Sequence, residues 1–161
     1  LLKPFFQSSL SAATLTAILL NLLFRIGIAK KAAVDLIPGV DSSETIFMFM
    51  QKQGGLWGAL PDVVNRAAAA VNETLEALAA KGASRGPIRL AVSFDEFNLD
   101  AEMTYAGTPL SFASRKPSEE DVLNTGEGLE TLAVFLILHE ADNVDAQEKN
   151  GHCRIRLHFN H

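Results

Sequence analysis

The chain has 161 residues, a net charge of −5 and an isoelectric point near 5.3. That length allows one domain with a real core and at most a short appended element, and the acidic balance excludes the concentrated basic surface that nucleic acid requires. A single cysteine, Cys153, forms no internal disulfide.

Charge and hydropathy divide the chain. Residues 1–40 carry Lys3, Arg25, Lys30 and Lys31 against Asp35, a net +3, which leaves −8 for the remainder. The stretch Phe5 to Phe24, FFQSSLSAATLTAILLNLLF, has 20 residues and no charge. A helix of that length reaches roughly 30 Å, the thickness of a bilayer core. Arg25, Lys30 and Lys31 follow it, so the positive-inside tendency puts the C-terminal side in the cytosol. Small residues at Ser9, Ala13 and Ala17 allow close helix packing within a membrane. The expectation is a transmembrane helix within residues 1–28, with the membrane as its partner through residues 5–24. A buried or dimer-forming helix is the alternative. Because the chain opens on Leu1, it reads as a piece of a longer protein.

Residues 29–42 read as a linker broken at Pro38-Gly39, and residues 43–161 as the body. Ser43 to Gln53 fits a helix or a strand. Leu60 to Lys81 is an alanine-rich amphipathic helix, opened by Pro61-Asp62 and stopped by Gly82. PIRLAVSFD and NLDAEMTYA form a hairpin with Asn98 in its turn. A polar loop leads to a second helix, EGLETLAVFLILHEA. The chain closes on two strands around Lys149-Asn150-Gly151. Cys153, Ile155, Leu157 and Phe159 alternate there with Arg154, Arg156 and His158, which implies one buried face. Helices layered on one face of a mainly antiparallel sheet make an α+β two-layer sandwich.

Within this order, AVNETLEAL on the long helix, TYAGTPL after the hairpin and TGEGLETLAVFLI on the next helix resemble the ATP-binding domain of the gyrase, histidine-kinase and MutL superfamily. The small anti-sigma kinases look most similar. The resemblance spans roughly residues 60 to 160. It implies a Glu as general base, an Asn four residues later on Mg²⁺, an Asp bonding adenine, and a G-x-G-L stretch around the phosphates. Glu73 matches the Glu. The Asn position holds Ala77, which offers no metal ligand. The Asp position holds Tyr105, ahead of Gly107. Gly126 and Gly128 match the glycine stretch, although Glu127 and Glu130 oppose an anion there. The resemblance therefore implies a vestigial nucleotide pocket at Glu73, Gly107, Gly126 and Gly128. The resemblance implies Glu73 as a vestigial general base, no other catalytic residue is assigned, and neither a metal nor a cofactor is assigned. ATP is the one candidate ligand.

The front segment PFFQSSLSAATLTAILLNLLFRIG resembles the final transmembrane helix of the xanthine/uracil permeases, the nucleobase–cation symporter-2 family. That resemblance implies an inner-membrane transporter whose upstream helices pack on this one, with residues 29–161 as a cytoplasmic regulatory or scaffolding module. The alternative is an anti-sigma or histidine-kinase-type ATP-binding protein with a helical dimerisation extension. An apolar helix in water seeks a partner, so a homodimer is a candidate assembly.

Other polar residues read as structural. His139-Glu140 ends a helix, where the dipole favours a cation. Strand alternation places Cys153 opposite His152 and His158, away from a shared metal. Asp95, Glu96, Asp100 and Glu102 read as hairpin-tip and solvent-face acids, and Trp57 as a packing residue.

Overall fold

The computed structural model describes residues 9–25, 29–41, 43–112 and 126–161. Helix α1 runs Ser9–Arg25, strand β1 Lys30–Leu36, helix α2 Ser43–Trp57 and helix α3 Pro61–Ala80. Strands β2 (Ile88–Phe94) and β3 (Asn98–Ala106) follow, then helix α4 (Gly126–Glu140) and strands β4 (Asn143–Lys149) and β5 (His152–Asn160). The five strands lie in the order β1-β2-β3-β5-β4, every neighbouring pair antiparallel. Helices α2 and α4 pack on α3, which in turn lies on β3 and β5. The α+β two-layer sandwich is the observed architecture.

Alternation decides the sheet's inner face. Ile88, Leu90, Val92 and Phe94 point to the helices from β2, Leu99, Ala101, Met103 and Tyr105 from β3, and Cys153, Ile155, Leu157 and Phe159 from β5. Each fully buried large apolar side chain contributes about 1.5–3 kcal/mol over its exposed state. Opposite them, α3 buries Val64, Ala67, Ala68, Val71, Leu75 and Leu78. Pro at the start and Gly82 at φ +57 after the end punctuate that helix.

The stretch with two readings, Ser43 to Gln53, is helical and continues through Gly54-Gly55 to Trp57. Ile46, Met50 and Gly54 are buried at four-residue spacing, the period of a helix face. Gly54 is where α2 crosses α3: a Cβ there would lie 2.5 Å from Val64 Cγ2. Trp57 stacks on Phe94 at 6.4 Å between ring centroids, a packing role.

Three expectations are corrected. Residues 30–36, expected within a linker, form the edge strand β1, paired with β2 from Lys30↔Phe94 to Leu36↔Ile88. The lysine and alanine pairs of KKAAVDL blur its alternation, yet Ala32, Val34 and Leu36 share the inner side. Asn98 opens β3 instead of sitting in the turn. Asp95 holds that turn, its Oδ1 accepting the backbone N–H groups of Phe97 and Asn98 at 3.1 and 2.7 Å. Finally, no helix among the described residues is long and apolar enough to cross a membrane. Helix α1 has 17 residues, roughly 25 Å of rise, short of a bilayer core. Residues 5–8 of the expected span lie outside the described residues. The transmembrane reading, the membrane partner and the inner-membrane placement are withdrawn on that finding.

Candidate functional site

The start of α4 and the segment after β3 both lie toward the C-terminal half of α3. Arg66, near the start of α3, donates a hydrogen bond to the Glu140 carbonyl at the end of α4 and pairs with Asp142 at 3.3 Å. The two helices are therefore antiparallel, and the Gly126 end of α4 lies toward the C-terminal half of α3, which carries Glu73 and Ala77. Beyond α3, residues 83–85 fold onto the end of β3. Arg85 N–H donates to Ala106 O at 2.8 Å, and Thr108 N–H donates to Ala83 O at 2.9 Å. Residues 105–108 are thus tied to the C-terminal end of α3, roughly 12 Å along the axis from Glu73.

Glu73 is half-buried on α3. Partial burial, and then the neighbouring Glu76 carboxylate, push its carboxyl above the ordinary range. Glu76 is held by Asn72, whose Nδ2 donates to Oε1 at 2.9 Å across one helical turn. Ala77 is buried on the same helix and presents only a methyl group. Among the described residues, no hydrogen bond or ion pair joins Glu73 to Tyr105 or Gly107.

Tyr105 turns into the core, 4% exposed. Its hydroxyl donates to Thr108 O at 3.2 Å, closing the turn on itself. Burial, and then Cys153 beside it in register on β5, raise its phenol well above the usual value, so the ring stays neutral. The Cys153 thiol donates to Gly107 O at 3.6 Å, the core role expected of that cysteine. Gly107 has φ +156, and a Cβ on it would lie 1.8 Å from Ala83 O. Its backbone N–H donates to Gly151 O at 3.0 Å. The glycine is required by the chain's own approach to itself. Gly126 and Gly128 lie in the first turn of α4. The polar loop before them, residues 113–125, lies outside the described residues.

The outer face of the sheet holds what the sequence left unassembled. Asp100, on β3, receives Arg156 Nη2 at 2.9 Å and His158 Nδ1 at 2.8 Å from β5. Burial pushes its carboxyl up, but these two hydrogen bonds and their charges outweigh it and hold the carboxyl below the ordinary value. Glu102 pairs with Arg154 at 3.9 Å. A shallow concavity of about 560 Å³ crosses this face, with Ala33, Ala91 and Ser93 among the small residues of its floor and Lys31, Arg89 and Arg156 among its rim. The two acids were expected on a solvent face; their partners were not identified. Strand alternation reveals the face, but only the β3–β5 register brings residues 100 and 158 together. Among the described residues, no group of three or more His, Cys, Asp and Glu side chains could hold a metal. His139 stacks on Phe135 at the end of α4.

No protein-family model matches this chain, and no curated protein matches it. Solved structures do. The RsbU and RsbW domains of Rv1364c from Mycobacterium tuberculosis align over 80% of the chain at 13% identity and a TM-score of 0.55. The chain spans only 32% of that protein. The SiaB–SiaC complex from Pseudomonas aeruginosa aligns over 94% of this chain and 100% of its own, at 12% identity and a TM-score of 0.50. The Acinetobacter baumannii histidine kinase AdeS aligns at 9% identity over 96% of this chain and 83% of its own, with a TM-score of 0.42, too low to carry an argument.

At these identities the likeness speaks to fold alone. The resemblance of the front segment to a xanthine/uracil permease is overturned: nothing here supports a transporter, its upstream helices or a transmembrane segment. The apolar run of α1 carried that reading, but hydropathy alone does not separate a membrane span from an apolar surface helix of 17 residues. What stands is an α+β sandwich, similar in fold to the RsbU and RsbW domains and to the SiaB–SiaC structure.

Proposed function

We propose that the chain is a regulatory module of the anti-sigma and histidine-kinase type that acts by binding a protein partner and does not turn over nucleotide. The observation that carries the reading is Tyr105. At the position where the resemblance implies an adenine-binding carboxylate, a neutral phenol points into the core and spends its proton on Thr108 O. A site without the expected acceptor loses orders of magnitude in discrimination for the base. Ala77 adds a second loss, because Mg²⁺ takes oxygen ligands and a buried methyl group supplies none. Glu73, Gly107, Gly126 and Gly128 then remain as parts of a pocket whose nucleotide contacts have lapsed. A protein partner is supported by the SiaB–SiaC structure, a complex of two proteins, one chain of which aligns in fold with 94% of this chain.

Calorimetric titration with ATP, with and without Mg²⁺, tests the proposal. The expected result is no heat of binding up to millimolar nucleotide. Micromolar binding would overturn it, and Mg²⁺-dependent phosphate release would do so more strongly.

A second reading has one observation in its favour. The Glu73 carboxyl is raised toward the range where a general base works. In that case Glu73→Gln abolishes a measurable ATPase rate; under the main proposal there is no rate to lose.

A further inference from the structure

Strand register lays out the outer face of the sheet in rungs. Taken from β1, β2 and β3 in turn, one rung is Lys31, Ser93 and Asp100, and the next is Ala33, Ala91 and Glu102. The third opens with Asp35 and Arg89. The middle rung therefore starts with two methyl groups, while the rungs on either side of it carry charged side chains. This is where the concavity of about 560 Å³ lies. Because Arg89 faces Asp35, four positions beyond Lys31, the two cations stand at opposite corners of it, roughly 14 Å apart at Cα. A lysine and an arginine side chain close such a span from both ends, over the Ala33–Ala91 rung.

The lining is unequal in its partners. Its acceptors are taken: Asp100 holds Arg156 and His158 at 2.9 and 2.8 Å, and Glu102 pairs with Arg154. Its donors are not. Among the described residues, Lys31 makes no ion pair and the Ser93 hydroxyl makes no hydrogen bond. Arg89 reaches Asp35 at 3.7 Å with both side chains more than 60% exposed, a contact that water screens. Two positive charges and a hydroxyl thus border an alanine floor without a matched acceptor on the protein. In a chain of net charge −5 that surplus of donors is local, and it calls for an anion rich in oxygen.

We propose that this depression binds a phosphate group, free or borne on a small molecule. A phosphate carries about −1.5 to −2 at neutral pH, which matches the two unmatched cations. Its oxygens accept from Lys31 as a point charge, from the planar fork of Arg89 and from the Ser93 hydroxyl. The alanine floor lets the group settle between the cations, where less water screens the contact than above a flat surface. The outer face is the opposite side of the sheet from α3 and Glu73, so this site is separate from the vestigial nucleotide pocket.

Amide NMR titration of the isotope-labelled 161-residue chain with inorganic phosphate, at an ionic strength held constant with sodium chloride, tests the proposal. A simple alkyl phosphomonoester is titrated beside it. The expected result is saturable movement of the Ala33, Ala91 and Ser93 signals, with a dissociation constant of about 1 mM. Binding of the ester at least as tight as that of the inorganic ion assigns the site to a phosphate borne on a larger molecule; tighter binding of the inorganic ion assigns it to the free one. Lys31→Ala and Arg89→Ala each weaken binding about tenfold. Ala91→Leu fills the floor, keeps every charge and abolishes binding, with an unchanged circular-dichroism spectrum. Ala33→Leu, on the exposed edge strand, repeats that test without touching the interior of the sheet. No saturation by either anion at about 10 mM, or binding that survives both leucine variants, would overturn the proposal. So would saturable movement confined to Gly126 and Gly128, which would put the phosphate at α4 and in the nucleotide pocket.

Discussion

Gly107 and the carbonyl oxygen of Ala83 occupy one another's space: a Cβ at position 107 would stand 1.8 Å from that oxygen. The contact fastens the end of β3 to the segment leaving α3, and it is backbone against backbone, with no flexible group to give way. Gly107→Ala is expected to cost about 3 kcal/mol, from the clash together with a φ that suits glycine. Urea unfolding measures it. A loss under about 1 kcal/mol would mean that the turn moves aside at little cost.

Asp100 makes stability depend on acid. Its carboxyl lies below the ordinary value, because the hydrogen bonds from Arg156 and His158 outweigh the burial that would raise it. A lowered folded value contributes stability above the unfolded value near 3.9, and that stability is lost as pH falls through the folded one. Asp142 shifts the same way, chiefly through the Asn160 backbone N–H. Asp100→Asn is expected to destabilise by about 1–2 kcal/mol at neutral pH and to flatten the fall in stability below pH 4. An acid limb as steep as that of the native chain would contradict this.

Glu73 runs in the opposite direction. Burial first, then Glu76, raises its carboxyl, so the charged form is disfavoured in the fold. Its contribution is fully present below the unfolded value near 4.3 and is lost as pH rises through the folded one. Glu73→Gln should therefore raise the Tm at pH 7 and leave it nearly unchanged at pH 3. Equal Tm values at pH 7 would show that the carboxylate bears no penalty there.

Gly54 and Val64 are expected to be coupled. Gly54→Ala drives a Cβ to 2.5 Å from a stiff valine methyl and should cost about 1–3 kcal/mol. With Val64→Ala also present the clash is gone, so the double variant should be less destabilised than the sum of the two singles. Strict additivity in denaturant melts would place the clash elsewhere.

The legible parts of the fold were those with a strong local period. The apolar face of α3 repeats over five turns, and β2, β3 and β5 alternate cleanly, so element type and fold class follow from side-chain spacing. The Asn150-Gly151 turn was legible because both residues take positive φ, 56° and 76°, which few residues accept. The short runs were not. KKAAVDL has no bulky side chain until its end, and the reason it is a strand lies in β2, more than fifty residues away. SETIFMFMQKQ is apolar enough for either structure, and the Val64 groove beside Gly54 selects the helix. Helix α1 misled in the other direction, since an uncharged apolar run has the same composition on a membrane or on a protein surface.

By itself the sequence determined the α+β class and the faces of the long helix and of three strands. Those are properties of residue type and of spacing within one element, and no distant contact alters them. Only the tertiary structure decided that residues 30–36 complete the sheet, that Tyr105 turns inward to its own turn, and that Asp100 meets Arg156 and His158. Each of those depends on which backbone lies alongside which. Strand register and helix docking are settled by long-range packing, where a shift of one residue would turn every side chain to the other face.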